Sequence, residues 1–221
     1  VNQVFNPFAN TIARLSVVFV GLSGALIIYF VLAQGVSPYS YGVNSAVGVA
    51  VEQPVRFSHE LHSGQLNISC TYCHTAVEQS SYAGIPDTHT CMSCHSQIAT
   101  YSELLAPVRA SYESGEPLVW HPVHNLADHV YFDHSIHVTK GIGCETCHGR
   151  VDQMPLVWQT ETMTMGWCLE CHREPQQYVR PLSEIYTFGW EAENQEELGV
   201  TLVEEYGIDA DRLDNCAICH R

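Results

Sequence analysis

Five Cys-x-x-Cys-His units carry the chemistry of this chain: Cys70/Cys73/His74, Cys91/Cys94/His95, Cys144/Cys147/His148, Cys168/Cys171/His172 and Cys216/Cys219/His220. They use all ten cysteines, so none remains for a disulfide or a thiol nucleophile. Two thiols at this spacing with an adjoining imidazole form the attachment signature of a c-type haem. The thiols bond to the edge of the macrocycle, and the histidine falls under the iron as an axial ligand. Zinc knuckles also use Cys-x-x-Cys, but they usually pair two such units. Here the number is odd, and histidine follows every pair, so five covalent haems c are the expectation.

The sixth ligand of each iron decides whether it transfers electrons or binds substrate. Eight histidines lie outside the motifs: His59, His62, His89, His121, His124, His129, His134 and His137. Two pairs stand out, His59/His62 and His134/His137. Each pair follows a phenylalanine (Phe57, Phe132) and precedes an attachment motif. Residues three apart on a helix share a face, with Cβ atoms about 5–6 Å apart. Such a turn can clamp two irons side by side, so all four are candidate distal ligands. The pairs also reveal an internal duplication. Phe57, His59 and His62 recur 75 residues later, Cys70 recurs 74 later and Cys91 recurs 77 later. The second copy carries one extra motif, Cys216 to His220.

The elements that must position these groups are few. Leu15 to Ala33 is an uncharged apolar run. It is long enough for a transmembrane helix and longer than a usual signal-peptide core. A membrane anchor in 1–35 is expected, with Arg14 placing the N-terminus in the cytoplasm. Its small residues, Ser16, Gly21, Ser23, Gly24 and Ala25, fit either close helix packing or ordinary membrane-helix composition. An uncharged linker follows at 36–54, with Tyr39 and Tyr41 suited to headgroup level. The duplication then divides 55–118, with two motifs, from 119–221, with three. Only 46% of residues are hydrophobic. Large macrocycles would have to supply the missing core. The expected fold is therefore mainly α and coil with little sheet, built around haems and unfolded without them.

Nine basic residues against 24 acidic exclude nucleic-acid binding. No nucleophile–base arrangement or phosphate loop is present, so no catalytic residue is assigned. The acidic stretch from Glu184 to Asp214 reads either as a solvated face or as a surface that steers a basic carrier. These features imply an electron conduit.

The Phe-x-His-x-x-His segments resemble the class III multihaem cytochromes. That resemblance implies His59 on the His74 iron and His134 on the His148 iron, with His62 and His137 serving the His95 and His172 irons. Met165 stands three residues before Cys168, where that family often has a ligand histidine. It and His124 are rival donors to the fifth iron, over His220, and Met163 is a weaker substitute. His89 could serve a remote iron. His121 and His129 read as solvated or bonded to propionates.

An anchor followed by five motifs in a two-plus-three duplication closely resembles the membrane-anchored pentahaem cytochrome c subunit of alternative complex III. Supporting stretches are GIPDTHTCMSCH (Gly84 to His95), HNLADHVYFDHSIH (His124 to His137) and MGWCLECHR (Met165 to Arg173). The resemblance implies a subunit of a respiratory or photosynthetic quinol oxidoreductase in the bacterial cytoplasmic membrane, with the haem domain on the periplasmic side. The implied partners are polytopic quinol-binding membrane subunits, an iron–sulfur subunit, and a monohaem cytochrome c or copper protein, with a terminal oxidase beyond. The alternative resemblance is to anchored tetrahaem cytochromes that oxidise quinol directly and feed periplasmic reductases.

Overall fold

The computed structural model describes residues 6–33 and 47–220. Contacts divide the chain into an N-terminal unit, 1–43, and a second unit, 44–221. The first contains helix α1 (Pro7–Ala33), 27 residues long. At 1.5 Å per residue it measures about 40 Å, more than the ~30 Å hydrocarbon layer. Its Phe8–Phe30 stretch has a mean hydropathy of 2.0 and no buried side chain. It is long and apolar enough to cross a membrane. Residues 34–46 of the expected linker, Tyr39 and Tyr41 among them, lie outside the described residues.

The second unit is built from short helices: α2 (Cys70–Cys73), α3 (Thr88–His95), α4 (Ala106–Ser114), α5 (His134–Thr139), α6 (Cys144–His148), α7 (Met165–Arg173), α8 (Gln195–Glu205) and α9 (Cys216–Cys219). Five of them contain the attachment motifs or most of them. Local chemistry starts these helices. Asp87 accepts from Thr90 N, Asp133 from Ser135 N and Ile136 N, Thr164 from Trp167 N, and Asn215 from Ala217 N. Each cap satisfies an amide that so short a helix leaves without a partner. Among the described residues pairing is limited to isolated bridges, Ala50 with Trp158, Val130 with His220 and Ile142 with Val179. The buried apolar side chains are Val55, Val77, Val108, Met154, Leu156, Val179, Ile185 and Leu202. The chain is mainly helical with little sheet, as expected, and its own core is small.

The duplication is visible in the backbone. Seven residues separate His62 from Cys70, and six separate His137 from Cys144. The extra residue is absorbed in a π-turn at Glu60–Gln65, where Leu66 N donates to Leu61 O at 2.9 Å. Its counterpart α5 is an ordinary α-helix. A single π-turn is a common way to insert one residue into a helix. The two copies are back in step at Ile68 N to His62 O, 2.9 Å, and Ile142 N to His137 O, 3.0 Å.

The segment after the fourth motif braces the third. Arg180 is buried, and its Nη1 lies 3.1 Å from Oε1 of Glu145, inside the Cys144–Cys147 spacer. Its guanidinium sits 5.3 Å from the Trp190 ring centre. The other oxygen of Glu145 accepts from Gly189 N at 2.7 Å. Gly143 has no side chain because a Cβ there would come within 2.5 Å of that guanidinium. Removing one partner of a buried pair strands the other charge. Arg180→Met is therefore expected to cost about 3 kcal/mol. Denaturant unfolding of the haem-loaded protein checks this, as a lower midpoint at unchanged slope.

Candidate haem sites

Two imidazoles that each place a nitrogen about 2 Å from one metal ion have ring centres on the order of 6 Å apart. The structure sets five pairs near that separation, each joining a motif histidine to one outside the motifs. His59 faces His74 at 6.4 Å, with the rings 1° from parallel. His62 faces His95 at 6.0 Å, His134 faces His148 at 6.3 Å, and His137 faces His172 at 6.1 Å. His129 and His220 stand 5.5 Å apart. The phenylalanine before each duplicated pair holds the rings alike. Phe57 lies 4.8 Å from His59 and 4.4 Å from His62, and Phe132 lies 4.8 Å and 4.5 Å from His134 and His137.

The hydrogen bonds fix which ring nitrogen faces inward. A backbone carbonyl only accepts, so a ring Nδ1 bonded to one must carry the proton. Nδ1 of His74 donates to Gly84 O at 2.7 Å, and that of His95 to Ile98 O at 3.0 Å. His172 donates to Leu213 O at 2.9 Å, and His220 to His129 O at 3.2 Å. On the opposite side His62 donates to Ser58 O, His134 to Ser81 O and His137 to Asp133 O, at 2.7–2.8 Å. With Nδ1 committed in this way, Nε2 is the nitrogen left to face a metal. Outer hydrogen bonds of this kind fix the tautomer and orientation of metal-ligating histidines. His59 differs, because its Nδ1 is buried and unpaired.

Burial keeps the key imidazoles neutral. It lowers the pKa of His148 to about 3 and that of His59 to about 4, and neighbouring histidines add to both shifts. It also raises the thiols, Cys144 and Cys147 to about 12 and Cys171 to about 11.

His129, read from sequence as solvated or propionate-bound, is the ring set against His220. Val130 bridges His220, and Tyr131 N donates to Cys219 O at 2.8 Å, so the backbone docks the last motif beside it. His124 instead lies edge-on to His148 at 4.5 Å, too close for an ion between the rings, with its Nε2 buried and unpaired. Met165 opens α7 and is half exposed. His89 packs on Tyr112 at 4.7 Å. His121 Nδ1 donates to Glu52 O at 2.8 Å. One signal pointed at His129. The fifth motif has no counterpart in the first copy, and neither has His129, whose equivalent position holds Pro54.

Among the described residues, contacts link the motifs one to the next. Tyr72, inside the first motif, meets Ser93, inside the second, with oxygens 3.0 Å apart, and Cys91 adds to the raised pKa of Cys73. Cys70 does the same to Cys144. Cys171 and Cys168 act on Cys147, and Cys219 acts on Cys168. Arg173 and Asp214 lie 3.8 Å apart between the fourth and fifth motifs. The order in space is second, first, third, fourth, fifth. Of the ten cysteines, only Cys94 and Cys216, at the two ends, are exposed.

The residues fit c-type haem: paired thiols, an imidazole beside them and a second imidazole across from it. Residues 130–221 match the family described as cytochrome c7 and related cytochrome c. The chain is 32% identical to the multiheme cytochrome c subunit of menaquinone reductase from Nitratidesulfovibrio vulgaris, over 55% of this chain and 68% of that protein. The chain belongs to the multihaem cytochrome c family. Covalently bound c-type haems and electron transfer follow from that membership. In this cytochrome His129→Ala is expected to convert a single haem from low-spin to high-spin and leave the others unchanged. Electron paramagnetic resonance of the oxidised protein measures it, and an unchanged low-spin count would exclude His129 as a ligand.

Proposed function

We propose that this cytochrome is the electron-transfer subunit of a membrane quinol oxidoreductase of the alternative complex III type. In this reading five haems are bound at the five motifs, with His59, His62, His134, His137 and His129 as distal ligands. Haem supplies reversible one-electron chemistry at its iron. The carrying observation is the succession of linked motifs in which every motif histidine faces a second imidazole. Full ligation by the protein suits relay and leaves no coordination position for a substrate. The exposed ends, at Cys94 and Cys216, suit entry and exit. Residues 1–35 would anchor the chain, 36–54 would link it, and 55–118 and 119–221 would hold two and three haems on the periplasmic side. Arg14 before the apolar run supports that orientation. Quinol would be bound by polytopic partner subunits, an iron–sulfur subunit would pass electrons on, and a monohaem cytochrome c or copper protein would accept them.

A second reading reverses the flow. The relative named above is called a menaquinone reductase. A complex of that kind would deliver electrons through this chain towards menaquinone.

Mild-detergent extraction with a subunit census, followed by menaquinol-driven reduction, tests the proposal. The chain should co-purify with polytopic and iron–sulfur subunits, and only the complex should be reduced by menaquinol. Equally fast reduction of the isolated chain would put the quinol site on this subunit and replace the reading. Menaquinone-dependent oxidation of the reduced complex, without the forward reaction, would select the second reading.

A further inference from the structure

The two copies hold each other's ligand turns by matching bonds. Glu60 N, in the turn between His59 and His62, donates to Met154 O at 3.1 Å. Ser135 N, in the turn between His134 and His137, is shared between its cap, Asp133 Oδ1 at 2.9 Å, and Ser80 O at 3.2 Å. Glu60 and Ser135 are duplication equivalents at an offset of 75, and Ser80 and Met154 at 74. The two bonds therefore exchange under the operation that exchanges the copies, as at a two-fold axis. Each accepting carbonyl lies just after the attachment motif of its own copy, six residues beyond His74 or His148. A second contact reinforces each side. His134 N and its ring Nδ1 both donate to Ser81 O, at 3.3 and 2.8 Å. On the other side Gly64 presses against Asp152, where a Cβ would fall 2.1 Å from the carbonyl oxygen.

We infer that the first and third haem sites are one reciprocal unit, in which the loop after each motif positions the distal histidine of the other. Gly64 and the Ser80–Ser81 carbonyls are its positioning elements. They touch no iron and act through His59, His62 and His134. The inference rests on the ligation proposed above. Gly64 is required for the approach of two backbones, since its φ is not in the left-handed region. The arrangement also places the crossing between copies at the centre of the motif succession, where His134 N and its ring Nδ1 both reach Ser81 O.

The test is Gly64→Ala in the full haem-loaded chain, with Gly166→Ala as control, because a Cβ at Gly166 meets nothing within 4 Å. Hydrogen exchange read by mass spectrometry should quicken about tenfold or more in the 60–66 turn, as for an overpacked backbone contact. It should quicken together with it in peptides covering 132–138 and 80–82, the other half of the clamp. Paramagnetic resonance should show altered low-spin signals for the haems served by His59, His62 and His134, with those of the fourth and fifth motifs unchanged. Faster exchange confined to 60–66, or no spectral change, overturns the inference. So does equal disturbance of the fourth and fifth sites. If Gly64→Ala does not accumulate, the wild-type chain decides: amides 60 and 135 must share one opening rate, and independent rates contradict the clamp. Wild-type spectra without bis-histidine signals would refute the ligation itself, which keeps the two failures apart.

Discussion

A neutral imidazole offers a lone pair only at the nitrogen without the proton, and most of this structure follows from that constraint. At least seven of the ten facing rings have Nδ1 committed to a backbone carbonyl. The carbonyls come from wherever the chain can supply them: a preceding turn at Ser58 and Asp133, a following loop at Gly84 and Ile98, and distant segments at Ser81, Leu213 and His129. The short helices, the loops between them and the isolated bridges are the means of delivering these oxygens at the right angle. Burial then removes the competing proton from His59 and His148.

The same constraint explains why the protein's own core is small. The buried aliphatic side chains cluster where segments brace motifs. Val179 precedes Arg180 in the chain, Ile185 O accepts from Cys144 N, and Met154 supplies the carbonyl for Glu60. The helix at Gln195–Glu205 leans on the loop after the fourth motif so closely that Gly199 leaves no room for a Cβ against Gln176 O. Macrocycles at the motifs would complete the apolar interior, and metal-dependent folds of this kind couple ligand binding to folding.

How legible a site was in the sequence depended on how local it is. The attachment motifs are contiguous, and His59/His62 and His134/His137 sit three residues apart behind a phenylalanine, so residue order alone marks them as candidates. The sheet-poor helical fold followed from the small hydrophobic fraction and the motif density. His129 was hidden because its partner lies 91 positions away, joined through one isolated bridge at Val130. No periodicity marks such a contact. Met165 drew attention through its place three residues before Cys168, while its rival His124 is placed at His148. The π-turn at Glu60–Gln65 was foreshadowed only by one extra residue between His62 and Cys70. The matching clamp was invisible, since it uses backbone groups of Glu60, Ser80, Ser135 and Met154 that residue identity does not encode.

In the proposed ligation every iron is held between two histidines. Low-temperature paramagnetic resonance together with near-infrared magnetic circular dichroism of the oxidised wild-type chain tests it most directly. The account predicts bis-histidine low-spin signals integrating to five haems per chain, with no methionine–iron charge-transfer band and no high-spin component. A methionine band, or a stoichiometric high-spin haem, would contradict it.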